Sequence, residues 1–367
     1  MLEQYRLRLY GVKPKHIVWM LIIGYTIFFS SYTIMKHCTF QTGAGDLGFF
    51  EQAFWSTAHG RPLYISLWDD LGTSTLAHHF QPIILLLMPV YCIYQNPETL
   101  LVLQSFFLAL GALPVYWICT KKFKEYIGVS FAASYLMYPA LQGINQFDFH
   151  VSALAVPFLL FAFHYIEEKQ YATSALFSAL ALMCKEDVAL TLGMLALYVM
   201  YTNRSEIRAS KQHSHAFLFG LSLIIVATVW FFVCVYLIVP SFNTAGVYLH
   251  FGKFFPSLTG CELPFNELAF AIDQKLLFSC LLMGPSLFLP LLSPSTFLIT
   301  IPTWTIIFLS QHTPAYQIGY QYPYTIIPFA FVSAIYGLKR LKFNETFLKK
   351  FTTLLVVVGF VFMLFVS

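Results

Sequence analysis

Long apolar runs alternate with short polar connectors along most of the chain. A helix that crosses a bilayer needs about 20 mostly apolar residues. HIVWMLIIGYTIFFSSYTIM, at 16–35, is the first run to meet that length. Further runs lie at 99–119, 126–141, 151–166, 172–183, 188–201, 216–239, 276–292, 296–309, 323–338 and 351–366. The pattern predicts an all-α, polytopic transmembrane helical bundle of about eleven spans, several of them short for a bilayer. It forms a single integral membrane domain over 1–367, divided into a first span (16–35), an outer loop (36–98), a helical bundle (99–338), an inner basic loop (339–350) and a last span (351–366).

The run QPIILLLMPVYCIY, at 81–94, is short and contains Pro82 and Pro89. If it crossed the membrane, Lys121, Lys122 and Lys124 would fall outside, against the preference for lysine and arginine on the inner side. A run of 10–14 residues is more often interfacial or re-entrant, so 81–94 is read as a juxtamembrane piece on the outer face. The remaining spans then alternate. The basic clusters at the N-terminus, at 121–124, 204–211 and 339–350 all fall inside. The expected location is the plasma membrane, multi-pass, with the N-terminus cytoplasmic.

Composition agrees. The 367 residues are 58% hydrophobic and 10% charged, against roughly 25% charged in soluble domains. Mean hydropathy is +0.69. No basic cluster alternates with aromatics as nucleic-acid binding would require. The seven cysteines show no C-x-x-C pair or zinc spacing. Cys92, Cys119, Cys184, Cys234 and Cys280 lie in or beside apolar runs and read as small core residues, whereas Cys38 and Cys261 fall in outer segments as a candidate disulfide pair.

Isolated acids, histidines and tyrosines collect on the outer side, where ionisable groups at a membrane boundary are functional candidates. In GAGDLGFFEQAFWSTAHG, at 43–60, Asp46 stands where a helix N-cap would, Leu47, Phe50, Phe54 and Ala58 repeat at helical spacing, and Gly60 is a stop. This predicts an amphipathic helix on the outer surface. Gly45 and Gly48 allow a ligand close to the backbone, and Glu51 adds a second acid. FDFH brings Asp148 and His150 to the start of another span, as caps or as a second acid and a metal ligand. His78-His79 could ligate a metal, although neighbouring side chains diverge. Asp69-Asp70 reads as a solvated turn. Lys185, Glu186 and Asp187 interrupt an apolar helical hairpin, as a wet turn or as an anion site. Tyr320, Gln321, Tyr322 and Tyr324 form an aromatic belt or line a pocket for sugar or lipid phosphate.

The stretches DLGFFEQAFWSTAHGRPL, HHFQPIILLLMPVY, LVLQSFFLALGALPVYWI, YPALQGINQFDFHVSALAVPFLLFAF, CKEDVALTLGMLALY and QYPYTIIPFAFVSAIYGL resemble a widespread family of prokaryotic polytopic membrane proteins grouped with the GT-C superfamily of lipid-linked-sugar glycosyltransferases. The resemblance spans roughly residues 43 to 338. It implies a catalytic acid near the start of the first outer loop, which Asp46 matches, a second outer-loop acid at Asp148, and a lysine-containing break between helices at Lys185. The chain departs from many GT-C enzymes in lacking a soluble outer domain that helps bind the acceptor.

Transfer of sugar from a polyprenyl-phosphate donor requires a base on the acceptor hydroxyl and a cation on the departing phosphate. The resemblance thus implies Asp46 as base and Asp148 as orienter or second acid. Lys185 is the phosphate partner, and Glu51, His79, His150, Glu186, Tyr320, Gln321 and Tyr322 contact the substrate. The partners are a membrane lipid, the lipid-linked donor and an acceptor whose identity the sequence leaves open. No cofactor is assigned, and a divalent metal stays open. A transporter or flippase would place charges near the bilayer midplane or in paired broken helices. A scaffold subunit would tolerate the same topology without needing Asp46.

Overall fold

In the computed structural model, which describes residues 13–67, 72–205, 215–250 and 269–366, the first apolar run forms helix α1 (Pro14–Cys38). Pro14 opens it, where a missing N–H leaves no hydrogen bond unmade. A π-helical turn, Ala44–Gly48, leads into α2 (Phe49–Ala58). Asp46 lies inside that turn and does not cap α2, which corrects the capping expectation. Gly43, extended, precedes the turn. Gly60 does end the helix, with φ +79°, a conformation open to glycine. Leu47, Phe50 and Phe54 are buried as the spacing predicts.

The proline-containing run at 81–94 gives α3 (Ile83–Tyr91), nine residues long. At 1.5 Å per residue it covers about 14 Å, less than half of a hydrocarbon core of roughly 30 Å. The helices α4 (Pro97–Leu110) and α5 (Ala112–Thr120) follow end to end. Next come α6 (Glu125–Leu136), α7 (Pro139–Gln146), α8 (Ala155–Glu167), α9 (Tyr171–Leu182), α10 (Val188–Thr202) and α11 (His215–Val233). The chain closes with α12 (Ile272–Met283), α13 (Ile301–Leu309), α14 (Ile326–Arg340) and α15 (Glu345–Val366). Among the described residues there is no strand, and one isolated bridge joins Tyr64 to Ser74.

The helices Pro14–Cys38, Pro97–Thr120, His215–Phe242 and Glu345–Phe365 are long and apolar enough to cross a bilayer. Shorter apolar helices occupy 151–167, 171–182, 188–202 and 294–309. The helices α8 and α14 bury nearly every side chain and form the centre, meeting where Phe163 packs edge-on against Phe329. A helix apolar all round belongs in such a position or in lipid. By contrast α1, α11 and α15 leave large apolar side chains on their outer faces, among them Ile27, Phe28, Val229, Phe232, Phe360 and Leu364. Faces of that kind need a hydrocarbon surrounding.

Charged residues sort to two ends. At one end Lys122 bonds Glu167 at 3.0 Å, Lys121 pairs with Glu168, and Lys124 reaches Glu345 at 2.6 Å. The other end gathers the 43–60 segment, the 148–150 loop, the 183–187 turn and residues 310–324. The helices α4 and α5 run from that second end to the lysines. Five cysteines divide by helix face: Cys119, Cys184 and Cys234 are buried, while Cys92 and Cys280 are exposed. The core expectation for those two is corrected, because apolarity marks a helix and not which of its faces packs inward. Cys261, Asp69, Asp70, Arg208 and Lys211 lie outside the described residues.

Gly143 on α7 sets the position of the 318–322 segment. A Cβ there would stand 2.2 Å from the Ile318 carbonyl oxygen, so a side chain must push two backbones apart. Gly143→Ala is expected to cost about 1–3 kcal/mol and to lower the thermal midpoint in detergent. Gly24→Ala, where nothing lies within 4 Å, is the control. Equal midpoints for the two variants would contradict this packing.

Candidate functional site

Two chain segments far apart in sequence meet at Gly43. Its amide donates to Asp148 Oδ2 at 2.6 Å, and the carboxylates of Asp46 and Asp148 both approach the point a Gly43 Cβ would occupy, at 3.6 and 3.2 Å. Asp148 is buried and has φ +54°, a left-handed conformation that Asp adopts more readily than most residues. Lys36 holds the same corner, donating to the Gln146 carbonyl at 2.8 Å with Asp148 Oδ1 3.8 Å away. From inside the bundle Gln104 clamps the loop, its amide donating to the Asp148 carbonyl at 2.6 Å and its oxygen accepting from the His150 amide at 2.7 Å. The clamp presents the His150 ring to Asp46, with Nε2 3.1 Å from Oδ1. Asp46 stays accessible, its side chain 37% exposed.

The 183–187 turn forms the opposite wall. Glu186 is fully buried and accepts from His79 Nδ1 at 2.6 Å, the Phe80 amide at 3.1 Å and the Tyr248 hydroxyl at 2.5 Å. Asp187 accepts from the Tyr324 hydroxyl at 2.5 Å. Burial first, and then the neighbouring Glu186 carboxylate, push the Tyr248 hydroxyl above its ordinary range, so it stays protonated as a donor. The turn is therefore a packed polar knot and not a wet connection. Lys185 differs from its neighbours. Among the described residues its ammonium makes no hydrogen bond, and its nearest acid, Asp187, stands 3.7 Å away.

Between the walls lies a cavity of about 160 Å³, lined by Asp46, His150, Gln81, Gln321, Tyr322 and Lys185 together with His78, His79 and His250. It adjoins a second space of about 140 Å³ walled by Leu190, Phe231, Ile306, Ile307 and Ala315. His79, Lys185, His250 and Tyr322 border both. One lobe is thus polar, its neighbour apolar, and a lysine sits at the join. The Gln81 side chain is nine-tenths buried and makes no hydrogen bond among the described residues. Buried amides are normally paired, so this one is available to a ligand.

Of the residues singled out from sequence, Gly45, Asp46, His78, His79, His150, Lys185, Gln321 and Tyr322 line the cavity. Asp148 and Glu186 stand behind it, holding Gly43 and His79. Glu51 accepts from Tyr91 at 2.5 Å on the far side of α2, where burial raises its carboxyl above the usual range. Tyr320 packs on Phe147, which stacks on the His150 ring, and so braces that histidine at one remove. Sequence reading passed over Gln81, Ser152 and His250. The signal for His250 was a histidine near Tyr248 in the segment after an apolar run, and nothing local marked Gln81. Among the described residues no three His, Cys, Asp or Glu side chains converge to hold a metal.

A family model described as "Predicted membrane protein (DUF2079)" matches residues 36–367. No curated protein matches the chain.

Proposed function

The chain belongs to the DUF2079 family of predicted membrane proteins, and from that premise we propose that it is a GT-C-type glycosyltransferase working on a polyprenyl-phosphate sugar. One observation carries the reading. A carboxylate with an attached histidine and a lysine paired only loosely, at 3.7 Å, with Asp187 line a polar cavity that opens into an apolar lobe. A lipid-linked sugar has the same order of parts, namely sugar, phosphate and hydrocarbon.

In this reading the acceptor hydroxyl sits against Asp46. Its oxygen bonds to the anomeric carbon while Asp46 takes the proton. The bond from that carbon to the phosphate oxygen breaks, and its electron pair stays on the phosphate, where Lys185 meets the added charge. His150 orients Asp46, and Asp148 positions the loop through Gly43. Gln81 and Gln321 supply hydrogen bonds to sugar hydroxyls, and the apolar lobe takes the first prenyl units. Binding of that remote chain supplies energy that holds the reacting centre in place. The test is Asp46→Asn in the native host, read by mass spectrometry of surface glycans and lipids.

The layout that accompanies this reading has about eleven spans, a juxtamembrane α3, the cavity facing outward and the lysine end inside. In a cysteine-free background, a cysteine placed at the exposed Lys124 is expected to resist impermeant maleimide added to intact cells. A cysteine at the exposed His59 should react. The reverse pattern would turn the molecule over and remove an outward-facing site.

A further inference from the structure

Glu186 has no solvent-accessible surface, and a carboxylate in that position is costly unless a positive partner compensates. The Phe80 amide and the Tyr248 hydroxyl are neutral donors. Among the described residues the ionisable cation bonded to Glu186 is His79, at 2.6 Å. The buried anion therefore favours the imidazolium form of His79. It also fixes the ring: with Nδ1 on Glu186, Nε2 is at the opposite edge. His79 borders both lobes next to Lys185.

Other titratable groups face His79. His250 stacks on its ring with centroids 4.1 Å apart. Like charges in contact disfavour each other, and among the described residues the buried Glu186 carboxylate is bonded to the His79 ring. His78 offers its backbone carbonyl to His250. Asp187 is bonded to Tyr324 and lies beside Lys185. Tyr248 and Tyr322 stay protonated, Tyr322 through burial and the nearby Asp46 charge.

We infer that His79 and Lys185 form a two-cation site for a phosphate monoester bearing an apolar chain, with Glu186 as the buried counter-ion that keeps His79 charged. The identity of that monoester as the polyprenyl phosphate released on transfer rests on the proposed glycosyltransferase activity; the site itself does not. A phosphodiester donor carries one negative charge, and its leaving group carries two. Two cations attract a dianion more strongly than a monoanion. The site thus tightens as the bond to the sugar breaks, which is where stabilisation accelerates a reaction.

The test measures binding to the purified full-length protein in nanodiscs, over about pH 5 to 9. The probes are farnesyl phosphate, its methyl ester, farnesol and inorganic phosphate. Farnesyl phosphate is expected to bind most tightly, with affinity rising as the phosphate takes its second charge near pH 6 and falling again as His79 loses its proton. His79→Gln, which retains an amide donor for Glu186, should weaken farnesyl phosphate about tenfold, as for loss of one charge-assisted hydrogen bond. It should also abolish the falling limb and leave farnesol unchanged. Glu186→Gln should move the falling limb to lower pH. A His79→Gln protein with wild-type affinity and profile overturns the inference while leaving Lys185 as a phosphate partner. Farnesol binding as tightly as farnesyl phosphate removes both the two-cation site and the lipid-phosphate donor. Inorganic phosphate binding as tightly as farnesyl phosphate replaces the chain-bearing ligand with a free anion. The wild-type profile is decisive even if a variant does not fold, since an affinity that plateaus through about pH 9 excludes a titrating second cation.

Discussion

Asp46→Asn is expected to abolish transfer while leaving the protein folded and inserted. The amide is close in shape to the carboxylate and can still hydrogen-bond His150 across the 3.1 Å contact, so the loop clamped by Gln104 and Asp148 keeps its form. What is lost is the ability to take a proton. A positioned general base contributes roughly 10² to 10⁴ in rate, and the native host carrying Asp46→Asn should lose the glycan or lipid that depends on this protein. Asp46→Glu should recover little, because an added methylene moves the carboxylate within a cavity of about 160 Å³. Gln104→Leu separates the two roles. It removes the clamp on the 148–150 loop without touching the cavity wall, so stability should fall along with activity. Unchanged surface glycans and lipids in the Asp46→Asn host would remove the catalytic reading, and the cavity would remain as a binding site.

Lys185→Met is expected to weaken binding of a prenyl phosphate by about ten- to a hundredfold, the range for losing a hydrogen bond to a charged group. Methionine keeps the length of the apolar stem and gives up only the ammonium, which stands 5.9 Å from the Tyr324 ring centre, so folding should be preserved. Lys185 is 15% exposed, and its loss leaves Asp187 bonded to Tyr324, which limits the damage to the turn itself. Lys185→Arg should retain part of the affinity, because the charge survives in a flatter and wider group. Equal binding by all three proteins in a calorimetric titration would take Lys185 out of the site and leave Asp46 as the main support for glycosyl transfer. A loss confined to Lys185→Met, with farnesol unaffected, locates the phosphate at the join between the two lobes.

Much of the fold was legible because its causes are local. Twenty apolar residues in a row require a helix that satisfies its own backbone, and α1 appears where the run 16–35 predicts it. Pro14, Pro97 and Pro139 open helices and Gly60 closes one, since each acts through its own backbone. The run 81–94, short and holding two prolines, gives a helix of nine residues. The acid at position 46 stood out because a charge beside two glycines is out of place in so apolar a chain.

What the chain does with its polar groups was decided by tertiary structure. The partner of Asp46 is His150, 104 residues away; Asp148 holds the Gly43 amide across 105 residues; and Glu186 holds His79 across 107. Periodicity and propensity act over a turn or two and cannot rank such pairings. They follow instead from the rule that a buried polar group needs a partner, applied after the helices have packed. The same limit made Asp46 look like a cap, made Cys92 and Cys280 look like core, and hid Gln81. The sequence by itself determined a helical membrane protein with its isolated acids and histidines in the segments between apolar runs. Only packing decided which of two neighbouring acids faces the cavity, because a carboxylate's role depends on what lies within 3 to 4 Å of it, and those atoms come from elsewhere in the chain.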